Sequence, residues 1–144
     1  QSFLNGYSTQ FYLACDDERL YFAGPQRPNF NAVSQSEGKM LWQLPEGVRH
    51  VVAHPQGLFV VTDIRNKIKS GRIDKSNGKL LEELYPRRGC TRVTGSLDSL
   101  FLRARNGTIR QLLDGDRSVN NIAPMRPPCH SGVIISDGML CWGP

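Results

Sequence analysis

Residues 49–63 read RHVVAHPQGLFVVTD: an apolar stretch, a Pro-Gln-Gly break, and a second apolar stretch. β-branched and aromatic residues on both sides of a short polar break predict a β-hairpin. The same shape returns at 11–24 (FYLACDDERLYFAG), 91–104 (TRVTGSLDSLFLRA) and 130–143 (HSGVIISDGMLCWG). Aligned on Leu20, Leu58, Leu100 and Met139 as second-strand starts, the steps are 38, 42 and 39 residues. Three weaker partners lie between the hairpins: NAVSQSEGKMLWQL (31–44), GRIDKSNGKLLEEL (71–84) and GTIRQLLDGDRSVNNI (107–122). Gly38-Lys39 aligns on Gly78-Lys79, and Asp114-Gly115 takes that place in the third. Helical periodicity is nearly absent.

A period of about 40 residues holding four short strands is the unit of a β-propeller blade. The expected fold is therefore all-β, a propeller of four-stranded blades over 1–144, with repeats at about 11–44, 49–84, 91–122 and 130–144. A lone four-stranded sheet with apolar residues on both faces needs a neighbouring sheet on each. Asn77-Gly78, Asn106-Gly107 and Asp137-Gly138 are expected to make tight hairpin turns. Gly24–Asn31 (GPQRPNFN) reads as a longer loop, and Pro86, Pro124, Pro127 and Pro128 fall between blades.

The 144 residues, 39% hydrophobic and 22% charged, suffice for a core and argue against wholesale disorder. With a 38–42 residue period they make about three and a half blades. The expectation is part of a larger propeller, whose open ends are covered by the remainder of a longer chain or by a second copy. Gln1 rather than Met at the start fits a processed product or fragment. No run of about 18 apolar residues is present, so no transmembrane helix is expected.

Net charge is +5, and Arg49 to Arg110 holds thirteen Lys/Arg against five Asp/Glu. Such a basic middle suits phosphate, sulfate or uronate groups or an acidic protein, beside the plainer reading of a solvated surface. Arg65–Lys79 contains no stacking aromatic, which argues against nucleic acid. Cys15, Cys90, Cys129 and Cys141 form no Cys-x-x-Cys pair; Cys15 and Cys141 lie within apparent strands and are expected in the core. His50 and His54, on a strand, sit about 13 Å apart and are read as surface histidines rather than a metal pair. No nucleophile–His–acid arrangement and no Gly-rich phosphate loop is present.

The turns Asp74-x-x-Asn77-Gly78-Lys79 and Gly38-Lys39, with Leu41-Trp42 following the second, resemble the pyrroloquinoline-quinone-like propeller repeat. The stretch from Arg87 to Pro144 resembles its planctomycete-type branch, through Cys90, Arg126, Cys129, Gly138, Trp142 and Pro144. The resemblance implies that Trp42 docks against the next blade and that Glu82, in the same place one repeat on, does not. It also implies an exported, periplasmic or cell-surface protein. Such propellers include quinone dehydrogenases and scaffolds that carry no cofactor, so the fold leaves function open.

Cys90 and Cys129 stand at matching positions in successive repeats. They are read as a disulfide between neighbouring blades, as thiol ligands, or as small buried residues. Arg87, Arg88, Arg92 and Arg126 surround them and are the candidate anion-binding residues, against the plainer reading of stems packed between blades. Two functions follow. One is a binding or scaffold module for a partner protein or anionic glycan. The other is the propeller part of a quinone-dependent dehydrogenase, coupled to a cytochrome and holding pyrroloquinoline quinone with calcium. The second needs grouped carboxylates, and Asp63, Asp74 and Asp98 are scattered.

Overall fold

The computed structural model describes residues 12–23, 29–45, 48–62, 69–85, 91–104, 107–128 and 132–142. Among them are fourteen strands and no helix. Sheet 1 is β1 (Tyr12–Cys15), β2 (Arg19–Ala23), β3 (Phe30–Ser34) and β4 (Met40–Leu44). Sheet 2 is β5 (His50–His54), β6 (Gly57–Val61), β7 (Gly71–Ile73) and β8 (Leu80–Glu83). Sheet 3 is β9 (Thr94–Gly95), β10 (Ser99–Ala104), β11 (Gly107–Leu112) and β12 (Val119–Ala123). A final hairpin joins β13 (Val133–Ser136) and β14 (Met139–Trp142).

Every sheet is an antiparallel meander in chain order, and none closes on itself. The protein is all-β, built of propeller-type blades: three of four strands and one of two, about three and a half. No described helix is long and apolar enough to cross a membrane. The chain divides into two compact units, Gln1–Leu84 and Tyr85–Pro144.

In the first unit, alternation along each strand sorts side chains to two faces. Tyr21, Ala23, Phe30 and Ala32 of sheet 1 form one core with Val48, Leu58, Val60 and Ile73, and Trp42 packs on its flank. β1 lies against β5, so the sheets converge at their first strands. β6 is buried at all five positions, as a strand covered on both faces must be. In the second unit β13 lies against β9, the same first-strand convergence. Thr94 Oγ1 donates to Val133 O at 2.6 Å, and Gly132 sits so close to Arg92 O that a Cβ there would come within 2.7 Å of it.

Several expectations change. Phe30 and Asn31 belong to β3 rather than a loop, because Phe30 is fully buried in the core and pairs with Leu44; Gly24–Pro28 lie outside the described residues. Leu140, not Met139, is the equivalent of Leu20, Leu58 and Leu100: each pairs with the residue five positions before it. Cys15 and Cys141 are exposed free thiols rather than core residues. His50 and His54 are buried rather than on the surface. Asp137 and Gly138 both take positive φ, 48° and 77°, the tight two-residue form. Asn77-Gly78 instead ends a longer loop, with Gly78 alone in the left-handed region at 74°. Asn106 lies outside the described residues.

Candidate functional site

Unit 1 holds its two sheets together around Lys75, in the β7–β8 turn. The Trp42 indole Nε1 donates to Lys75 O at 2.8 Å. From the β1–β2 turn, the Asp16 carboxylate faces Lys75 Nζ at 3.3 Å. Lys75 is thus gripped at its carbonyl and its ammonium by two residues of sheet 1. Trp42 also covers Gly78: a Cβ there would lie 2.9 Å from the ring. Tyr21 and Phe30 support the indole from their own sheet, with ring centroids 6.1 and 5.5 Å away.

Asp16 is heavily solvated by protein donors. Glu18 N and Arg19 N donate to Oδ1 at 3.1 and 2.9 Å, and Tyr21 OH donates to Oδ2 at 2.8 Å. Burial pushes its carboxyl up, but these hydrogen bonds and Lys75 outweigh it and hold the acid below its ordinary value of 3.8. Burial and the neighbouring carboxylate raise the Tyr21 phenol, which stays protonated and donating.

Glu82 stands where Trp42 stands in sheet 1, and its carboxylate bonds within its own sheet. Arg72 reaches Glu82 Oε2 with Nε at 3.1 Å and Nη2 at 2.9 Å, and gives Nη1 to Gln56 O at 3.0 Å. Arg110 plays a similar part in sheet 3, binding Ser99 Oγ at 2.6 Å and Asp98 Oδ2 at 2.7 Å.

Among the candidate anion-binding residues, Arg92 and Arg126 are described and both are exposed. The segments carrying them touch at one point, where the buried Thr91 Oγ1 donates to Pro127 O at 3.2 Å. Neither arginine is in an ion pair among the described residues. Arg87, Arg88, Cys90 and Cys129 lie outside the described residues, as does Asp63.

The remaining chemistry-bearing groups serve local structure. Asp74 accepts from Ser76 N and Oγ at 2.7 and 2.6 Å, which keeps its carboxyl below the ordinary value. Asp98, bonded by Ser96 and then Ser99, with Arg110 alongside, is lowered likewise. His54 Nδ1 accepts from Gln56 N at 3.1 Å, and its ring meets Phe59 edge-on; His50 meets Tyr12 in the same way. No group of three metal-ligating side chains occurs among the described residues. An open hollow of about 600 Å³ lies over the β1–β2 turn, lined by Asp17, Glu18, Arg19, Ser34 and Leu41 among others. Arg19 is paired there with Glu18 at 2.8 Å.

Sequence reasoning assigned no contact to Trp142. In unit 2 its Nε1 donates to Thr108 Oγ1 at 2.8 Å, and Thr108 Oγ1 donates to Met125 O at 2.9 Å. This ties the hairpin back onto sheet 3. The available signal was its place in β14 at the same register as Val60 in β6. No protein-family model matches the chain, and a search of curated proteins finds no match.

Proposed function

We propose that the chain is an exported binding or scaffold module of the pyrroloquinoline-quinone-like repeat class, taking an anionic glycan or the acidic surface of a partner protein. The observation that carries this reading is the exposure of Arg92 and Arg126, each next in sequence to one partner of the Thr91–Pro127 hydrogen bond. Guanidinium groups present planar paired donors that match carboxylates and sulfates. The basic excess between Arg49 and Arg110 adds a favourable long-range field.

Binding of polygalacturonate and of heparin by the whole chain, measured by titration calorimetry against neutral dextran, tests it. Both anionic polymers should bind, and affinity should fall steeply as salt rises. The double variant Arg92→Ala/Arg126→Ala should lose at least about tenfold in affinity. Equal affinity for dextran, or no change in the double variant, rejects the arginine site.

A further inference from the structure

Asn77 and Gly78 end the β7–β8 turn, and an Asn-Gly pair is chemically labile. Glycine has no side chain to hinder attack by its own amide nitrogen on the preceding carboxamide carbon. In that reaction Gly78 N bonds to Asn77 Cγ, the Cγ–Nδ2 bond breaks, and ammonia leaves with the proton from Gly78 N. Water then opens the five-membered imide at either carbonyl. One product is aspartate. The other is isoaspartate, whose main chain runs through the former side chain and is one carbon longer.

The structure holds the two reacting groups in opposite states. Lys79 N donates to Asn77 Oδ1 at 2.8 Å, which draws electron density from Cγ, and Asn77 is exposed to water. The carbon to be attacked is polarised and accessible. The attacking nitrogen is engaged: Gly78 N donates to Asp74 O at 2.9 Å, from left-handed backbone at φ 74°. Gly78 is buried, and a Cβ on it would lie 2.9 Å from the Trp42 ring. Trp42 is itself fastened to the same turn, through Lys75 O. Freeing Gly78 N means opening the turn, and opening the turn means lifting Trp42 off it. The matching turn of sheet 1 has Glu37 before Gly38, and a glutamate cannot close this five-membered ring. Of the two turns, the one with the labile amide is the one that a neighbouring sheet covers.

We propose that Asn77 is a deamidation site gated by the joint between sheets 1 and 2: the closed joint withholds Gly78 N, opening releases it, and isoaspartate at 77 keeps the joint from closing again. The added main-chain carbon falls between Asp74 and Lys79, whose Asp74 N to Lys79 O bond of 2.8 Å closes the turn. It changes the spacing on which that bond and the seat of Trp42 both depend. The product is a one-way chemical record of joint opening within unit 1, independent of the anion site.

Incubation of the whole chain in mildly alkaline buffer, followed by peptide mapping with mass spectrometry, reads Asn77 apart from the other Asn-Gly pairs, Asn5-Gly6 and Asn106-Gly107. Because only opened molecules react, deamidation at Asn77 should run at least about tenfold slower in the native chain than in the same chain in urea. Trp42→Phe, which keeps a ring but loses the bond to Lys75 O, should speed the native reaction severalfold. Trp42→Ala should speed it further; circular dichroism shows that each variant is folded, and the phenylalanine variant decides the matter if the alanine one is not. The isoaspartate form, separated by ion exchange in a Trp142→Phe background, should show Trp42 emission shifted to the red. Equal rates in the native and urea-unfolded chain overturn the proposal. So does a native rate indifferent to the Trp42 substitutions, and so does an isoaspartate form whose emission matches that of the unreacted chain.

Discussion

The turn from Ser34 to Lys39 in sheet 1 and the turn from Asp74 to Lys79 in sheet 2 have the same backbone. Ser34 N bonds Lys39 O and Gly38 N bonds Ser34 O, at 2.8 and 2.9 Å. Asp74 N bonds Lys79 O and Gly78 N bonds Asp74 O at the same two distances. Both glycines sit at positive φ, 66° and 74°. Yet nothing lies within 4 Å of a Cβ placed on Gly38, whereas Trp42 covers Gly78. The repeat thus makes one local structure twice and uses it for two purposes. One turn only reverses the chain; the other is also the surface on which a neighbouring sheet is seated.

The sharpest way to break the comparison is to remove the side chain that creates it. Trp42→Ala takes away the indole's packing and its bond to Lys75 together, and should cost unit 1 about 3 kcal/mol, read as a lower urea midpoint. Next comes the glycine pair. Gly78→Ala should cost about 2–3 kcal/mol, combining the left-handed backbone penalty with the push against Trp42. Gly38→Ala should cost about 1 kcal/mol, from the backbone alone. If the two losses are equal in the parent, the seating of Trp42 on Gly78 is wrong; in a Trp42→Ala background they should converge.

Asp16 gives a smaller effect with a pH signature. Its folded-state acidity is stronger than the ordinary value of 3.8, so its contribution is full above about pH 4. That contribution is lost as pH falls through the lowered folded value. Asp16→Asn should cost about 1 kcal/mol at pH 7 and flatten the acid limb of the stability profile, followed by urea unfolding from pH 7 to pH 2. The least effect is expected at the position that replaces the tryptophan. Glu82→Gln weakens a partly exposed pair with Arg72 and should cost less than about 1 kcal/mol, fading further at high salt.

The blade architecture was legible because strand alternation and turn residues are local signals. The hairpin at 49–63 could be read from its two apolar runs, and Asp137-Gly138 from a dipeptide that tolerates positive φ at both positions. What escaped depends on which face a neighbour covers. Cys15 and Ala53 occupy one register, yet Cys15 is exposed while Ala53 packs on the core. His50 and His54 look polar in sequence, but both are buried and each ring is taken up by an aromatic neighbour. Phe30 follows Pro28 by two residues, in a stretch whose sequence reads as loop; its burial among Tyr21, Ala32 and Trp42 puts it in the sheet. At the candidate anion site, Arg92 and Arg126 could be named from their places in sequence around Cys90 and Cys129. That the segments carrying them touch could not, since it rests on the Thr91–Pro127 bond between residues 36 apart in the chain.

The two indoles that seat these blades have one more property. The chain has two tryptophans, Trp42 in one unit and Trp142 in the other, and each gives its Nε1 hydrogen to an oxygen at 2.8 Å. Each unit therefore carries its own built-in chromophore at the joint between its sheets. Replacing either indole with phenylalanine leaves the emission of the other as a private signal, so the opening of one joint can be followed by light while the second stays silent.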